Sequence, residues 1–261
     1  MDLEIDGNAA LVTASSSGLG KASAKALARE GVNVVINGRD DNRLEEARED
    51  VEAVATGEVL TRTGDLTVEA DLTDLVETTV DAFGGLDHLV TSAGGPPSGP
   101  FLETSDEDWY EAYDLLVMSV VRLAREAQPY LAEGEGTIVN ITSRSVKEAL
   151  DNLVLSNSVR MSVIGLEKTL SKEFAPDIRA NAVLPGPHET ARIRELVDAA
   201  VERGEFDSYE HGLDAWSGNP LERVGDPMEL GNTVAYLCSP LSGFINGTAI
   251  PIDGGATGAN L

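Results

Sequence analysis

The octapeptide TASSSGLG, Thr13 to Gly20, ends an apolar run that begins at Ala9 and opens an alanine-rich helical stretch, Leu19 to Glu30. A strand that turns into a helix over small residues brings the helix start close to the strand end. Gly18 and Gly20 let another group approach the backbone closely, and Ser17 is placed to cap the helix. The positive end of that helix then faces whatever sits above the turn, and an anion suits it. The same spacing also serves a plain tight strand-to-helix turn, so the context decides.

Outward from this turn, short apolar runs alternate with amphipathic stretches along the whole chain. Strands are expected at Ala9 to Thr13, Val32 to Ile36, Val59 to Thr61, His88 to Val90, Thr137 to Ile141, Arg179 to Leu184 and Ala249 to Ile252. Helices are expected near Leu19 to Glu30, Asn42 to Ala55, Glu69 to Phe83, Asp106 to Leu131, Leu153 to Phe174 and Pro227 to Cys238. This rhythm predicts an α/β fold, a Rossmann-type doubly wound parallel sheet of about seven strands in three α/β/α layers. No linker interrupts it, and 261 residues suit one domain over 1–261. An extra segment, Glu189 to Trp216, breaks the rhythm and is expected to be a lid or binding element; it carries Arg192, Arg194, His211 and Trp216.

In such a sheet the turn after the first strand is where a dinucleotide pyrophosphate lies. The second strand ends in Asn37-Gly38-Arg39, beside the adenosine ribose. An acidic side chain here would receive a 2′-hydroxyl, whereas Arg39 offers a cation to a 2′-phosphate, so NADP (NADPH) is the expected cofactor. Asp65, in GDLT after the third strand, can accept from the adenine amino group or cap a helix. Ser92-Ala93-Gly94-Gly95 after the fourth strand supplies a small-residue floor.

Together these stretches resemble the short-chain dehydrogenase/reductase family, in particular its 3-oxoacyl-carrier-protein-reductase-like members. The resemblance runs through TASSSGLG, GDLT, TSAGG, IVNITS, LPGPHET and IPIDGG, from end to end of the chain. It implies that Ser15, Gly18, Leu19 and Gly20 hold the pyrophosphate, Asp65 and Leu66 the adenine, and Ala93 and Gly94 the ribose side. Pro185, Gly186, His188 and Thr190 would form the loop against the nicotinamide. It also implies that the insertion around 189–216 covers the substrate side, and a homotetramer built on the two long helices. Ala14 stands at the family's first glycine position, so an ordinary negative φ is expected there. Thr91 and Ser92 stand in place of two asparagines.

The catalytic positions depart further. The family uses a tyrosine as general acid or base, a lysine four residues on that lowers its pKa, a serine and an asparagine. Ser143 matches the serine, but the tyrosine and lysine positions hold Ser156 and Arg160, and the asparagine position holds Leu116. No Tyr-x-x-x-Lys occurs anywhere in the chain. Arg160 can hydrogen-bond a ribose or pair with a phosphate but cannot exchange protons, and Ser156 is too weak an acid to replace a phenol unaided. Lys147 and His188 are the nearest titratable groups able to donate a proton. Two functions fit: an NADP-dependent oxidoreductase moving hydride between nicotinamide and a carbonyl or alcohol through a non-standard proton relay, or an NADP-binding pseudo-enzyme acting as sensor or assembly partner. The substrate is not specified by the sequence, and no metal site is expected.

Composition limits the partners. With 45 Asp and Glu against 19 Lys and Arg the net charge is −26, which disfavours nucleic acid and anionic membranes alike. Five lysines against 14 arginines, on a surface so acidic, resemble proteins of salt-accumulating halophiles. Cys238 is alone, so no internal disulfide forms; the start MDLEIDG is not a signal peptide, and no apolar run reaches about 18 residues. A cytoplasmic location is expected. Because salt screens the self-repulsion, the melting temperature should climb steeply between dilute buffer and molar potassium chloride, followed by circular dichroism. A flat profile would remove the halophile expectation.

Overall fold

The computed structural model describes residues 2–259, except for the side chains of Arg192 and Leu196. Seven strands, β1 (Ala9–Val12), β2 (Asn33–Gly38), β3 (Val59–Thr63), β4 (His88–Thr91), β5 (Thr137–Ile141), β6 (Arg179–Pro185) and β7 (Ala249–Ile252), form one sheet in the order β3-β2-β1-β4-β5-β6-β7. Every neighbouring pair is parallel; Ala10 lies opposite Val34 on one side and His88 on the other. The strand order reverses between β1 and β4, which opens a crevice at the carboxyl ends of these strands.

Both faces of the sheet are covered, so the strands are near-continuously apolar instead of alternating. Ala10 and Val12 of β1 point into a core shared with α1 (Gly18–Arg29), α2 (Asp41–Glu52) and α9 (Pro227–Cys238). Leu11 points the other way, into a core shared with α3 (Glu69–Phe83), α5 (Ser119–Leu131) and α6 (Val154–Glu173). Small residues set the distance between α1 and α9: a Cβ on Gly231 would run into the carbonyl oxygen of Ala22. Among the described residues no helix is long and apolar enough to cross a membrane.

The long stretch after β4 begins as α4 (Asp106–Tyr113), capped by a reciprocal Ser105–Asp108 box, and passes through one π-turn, Asp114–Met118, into α5. Leu116 is buried in that π-turn against Val159 and Val163 of α6. The segment expected as a lid folds into two helices, α7 (Ala191–Glu202) and α8 (Tyr209–Asp214). Glu189 fastens it by accepting from Arg194 Nε and from the Tyr209 hydroxyl, each at 3.0 Å, while His211 packs edge-on against Phe206.

On α6, Glu167 is buried and its Oε1 has no hydrogen-bond partner. Burial pushes its carboxyl up to about 7. Because the folded pKa lies above the unfolded one, the stability this group allows is fully present below about 4.5 and is lost as pH rises through about 7. Glu167→Gln should therefore melt above the native protein at pH 8, by roughly a few degrees, and the gap should close by pH 5. Parallel Tm–pH curves for the two proteins would show that this carboxyl is not held in its neutral form.

Candidate active site

A cavity of about 1000 Å³ fills the crevice above the carboxyl ends of β1, β2, β4 and β5. Its first wall is the β1–α1 turn, where Ala14 and Ser16 to Gly20 line it. Gly20 must lack a side chain because a Cβ there would sit 2.5 Å from the Ala14 carbonyl oxygen, and Gly18 has φ +56°. Two expectations for this turn need correction. Ala14 has φ +45°, so the small residue adopts the left-handed conformation a glycine would take. The Ser17 hydroxyl makes no cap hydrogen bond, which leaves the first turn of α1 without a side-chain acceptor on the cavity wall.

Ser15 is fully buried and does not line the cavity. Its hydroxyl donates to the Val12 carbonyl at 2.6 Å and accepts the Asn37 N–H at 2.9 Å. Asn37 is the fastener of this end. Its Oδ1 accepts the Ala14 N–H at 3.2 Å, and its Nδ2 donates to the carbonyls of Arg62 and Gly64 at 3.2 and 3.1 Å, so one amide ties together the loops after β1 and β3. Thr13 does the same between β1 and β4, donating to the Ser92 carbonyl at 2.7 Å while accepting the Ser92 N–H at 2.9 Å.

At the β2 end Arg39 and Arg43 both line the cavity. Arg39 is highly exposed and stands 3.8 Å from Asp65. Asp65 accepts the Thr67 N–H and hydroxyl at 2.9 and 2.7 Å; these bonds, and Arg39 less strongly, hold its carboxyl below the usual range. Leu66 and Thr67 continue this wall, and Ala93 and Gly94 lie on the floor opposite. A Cβ added at Gly94 would meet nothing within 4 Å, as expected of a backbone that faces open space.

At the far end Ile141, Thr142, Arg160, Thr190 and Ala191 line the cavity. Arg160 and Ser156 stand one turn apart on α6, both buried. Arg160 Nη1 donates to the Thr142 carbonyl at 3.3 Å, and its Nε has no partner. Ser143 stands near the start of the loop beyond β5, its hydroxyl accepting the Ser145 N–H at 3.1 Å, and the Ser145 and Ser156 hydroxyls are hydrogen-bonded at 3.0 Å. Three serines are thereby joined, Ser145 being one that the motif spacing did not mark.

Neither proton-donor candidate lines this cavity. Lys147 is half-buried, and its ammonium has no hydrogen-bond or ion-pair partner among the described residues. His188 is buried and pairs through Nδ1 with the Gly186 carbonyl at 2.9 Å; burial pulls its pKa down, which keeps the ring neutral near pH 7. It lines a separate cavity of about 280 Å³ with Asn219, Arg223 and Glu229. Pro185 and Gly186 are likewise outside the large cavity; the Gly186 N–H donates to the Ile252 carbonyl at 2.9 Å, so only Thr190 of that expected loop reaches the crevice. The physical reason is the parallel pairing of β6 with β7, which draws the start of the loop back toward the sheet.

A sheet of this order with an open helix start at its switch point has the architecture of nucleotide-binding α/β proteins. Residues 13–257 match the family described as Enoyl-(Acyl carrier protein) reductase. The 3-oxoacyl-[acyl-carrier-protein] reductase FabG of Thermotoga maritima is 30% identical, over 97% of this chain and 99% of its own. The crystal structure of L-sorbose reductase from Gluconobacter frateurii, complexed with NADPH and L-sorbose, superposes with a TM-score of 0.94 at 31% identity, covering 99% of this chain and 100% of that one. A short-chain oxidoreductase from Pseudomonas aeruginosa PAO1, described as containing an atypical catalytic center, superposes at 0.91 with 28% identity over 97% and 98% of the two chains. The chain belongs to the short-chain dehydrogenase/reductase family, and is an oxidoreductase by that membership.

Proposed function

We propose that the protein is an NADP(H)-dependent oxidoreductase acting on a carbonyl/alcohol pair, with a proton relay that contains no tyrosine. The observation that carries this is the large cavity along the open first turn of α1, with Arg39 and Arg43 at one end and Arg160 at the other, on walls that also hold Asp65, Glu111 and Asp114. The residues fit a dinucleotide phosphate, since Ser17 to Gly20 offer backbone at a helix start and Gly94 leaves room that a side chain would fill. Arg39 and Arg43 would hold a 2′-phosphate, Asp65 and Leu66 the adenine, and Ala93 and Gly94 the ribose side, with Thr190 at the nicotinamide end. NADPH bound there supplies hydride to a carbonyl carbon.

The protein's own task is to orient that carbonyl and to protonate the alkoxide. The Ser145 backbone N–H fixes the Ser143 hydroxyl and the Ser145 hydroxyl fixes that of Ser156; none of these serines lines the large cavity, so the proton would be drawn from water that enters it. Arg160 supplies fixed positive charge beside the developing oxyanion. The helix pair within residues 189–216 would cover the substrate, and the exposed Tyr110, Tyr113 and Met161 on α4 and α6 suit a homotetramer of such one-domain chains. An NADP-binding pseudo-enzyme is the second reading, favoured by the absence of any Tyr-x-x-x-Lys together with Leu116 in the π-turn.

Fluorescence titration should give tighter binding of NADPH than NADH. The double variant Arg39→Ala, Arg43→Ala should lose about ten- to a hundredfold for NADPH and little for NADH, the worth of a charge-assisted contact. Steady-state assays with a panel of carbonyl compounds should then give slow turnover, 10²- to 10⁴-fold below ordinary members for want of a general acid. Equal affinity for the two cofactors would refute the phosphate assignment. Cofactor binding with no oxidation by any carbonyl would favour the pseudo-enzyme.

A further inference from the structure

Arg160, which is buried, and Arg179, which is half-buried, are treated differently by the fold. Arg179, at the start of β6, donates four hydrogen bonds, to the carbonyls of Ser242, Ile245, Leu237 and Ser239 at 3.0–3.2 Å. Its guanidinium is satisfied by the fold and needs nothing else. Arg160 is only 8% exposed, yet has one long bond, to Thr142, and an orphaned Nε. No carboxylate lies within 4 Å of it among the described residues, in a chain that has 45 of them. Beside it lies a void of about 10 Å³, room for a single water, walled by apolar residues such as Leu116 and Val163 and by the hydroxyl residues Thr91, Ser92, Ser119 and Thr142. An uncompensated cation in such surroundings is costly to folding and is kept where a ligand neutralises it.

The missing partner can be placed by elimination along the cavity. If NADPH lies as proposed above, its phosphates face the α1 turn and Arg39 with Arg43. The nicotinamide end of the cofactor brings no anion to Arg160, and ribose hydroxyls hydrogen-bond without neutralising charge. The negative group that completes Arg160 must then come with the substrate. A guanidinium is a planar fork that takes a carboxylate through two parallel N–H bonds, and it keeps its charge at any working pH.

From this geometry we infer that Arg160 is a specificity-determining residue, and that the substrate is an oxo acid whose free carboxylate, close to the reacting carbonyl, pairs with it. The inference rests on the cofactor orientation proposed above. A neutral ketone or a thioester without a nearby carboxylate leaves Arg160 unpaired and is a poor substrate. The same contact orders the carbonyl for hydride attack, so binding energy from the carboxylate offsets part of what the missing phenol would contribute.

Oxamate is a non-reacting carboxylate probe, and oxamide is its neutral counterpart. Both are titrated calorimetrically, at one fixed concentration of potassium chloride, into cofactor-free and NADPH-saturated protein. The native protein should prefer oxamate by at least tenfold. Arg160→Met should erase the preference, Arg160→Lys should keep part of it, and ligand-free Arg160→Met should melt at or above the native temperature because an unpaired buried charge has been removed. Equal affinity for the two probes in both forms of the native protein would overturn the inference, as would a preference that survives Arg160→Met. So would a Met variant that melts lower or does not fold, since Arg160 would then be structural. Failure of NADPH to bind while the oxamate preference stands would strike the cofactor assignment alone.

Discussion

The closeness of α1 to the end of β1 is the constraint on which the rest depends. Gly20 lies against the Ala14 carbonyl with no room for a side chain, Ala14 and Gly18 take up positive φ to make the turn, and Gly231 brings α9 against the same helix from behind. Held this way, the first turn of α1 forms a wall of the cavity instead of its roof. Asn37 and Thr13 then pin the neighbouring loops to that turn, with bonds that cross from β1 to β2, β3 and β4. A rigid rim at a switch point is what a long, charged ligand needs, because each loop contributes only one or two contacts.

Charge is the second theme. The surface is saturated with carboxylates, and its arginines pair with them: Arg48 with Glu45 and Glu52, Arg62 with Asp74, Arg223 with Glu229. Such exposed pairs stabilise little individually and are further screened by salt. The arginines of the cavity are arranged otherwise. Arg39 keeps only a loose 3.8 Å contact with Asp65, and Arg160 has no carboxylate within 4 Å among the described residues. With Asp65, Glu111 and Asp114 also on its walls the cavity is close to charge-balanced, against a net charge of −26 for the chain.

Most of the fold was legible because it follows from periodicity. The ends of α3 and α9 and of β5 and β7 fall where the pattern placed them, and the other expected elements lie within about three residues, except that the stretch 106–131 is broken by a π-turn and that α7 and α8 were not marked as helices. The cavity loops were legible too, since Gly18, Gly20, Arg39, Asp65 and Gly94 sit in recognisable local strings and do line it. What was not legible depends on contacts between distant positions. Asn37 is a polar residue at a strand end until its amide is seen bridging to Ala14 and Gly64; Ser145 matters only because Ser156, 11 residues on, meets it; Arg43 reaches the cavity only because α2 begins where it does. Ala14 was not legible because its left-handed φ runs against the preference that a Cβ imposes, and is held by the bond from its N–H to Asn37 Oδ1, 23 residues away. His188 and Lys147 were the nearest titratable residues in sequence, but the turn of the backbone at β6 and beyond β5 points them elsewhere.

The central claim is that one cavity orders a dinucleotide from the Arg39 end to the Arg160 end. A crystal structure grown with NADPH tests it directly. The account predicts the 2′-phosphate between Arg39 and Arg43, the pyrophosphate against the amides of Ser17 to Gly20, and the nicotinamide beside Thr142, with the Arg160 guanidinium still free of any cofactor phosphate. A cofactor seated in reverse, with a phosphate on Arg160, or one bound outside this cavity would contradict it.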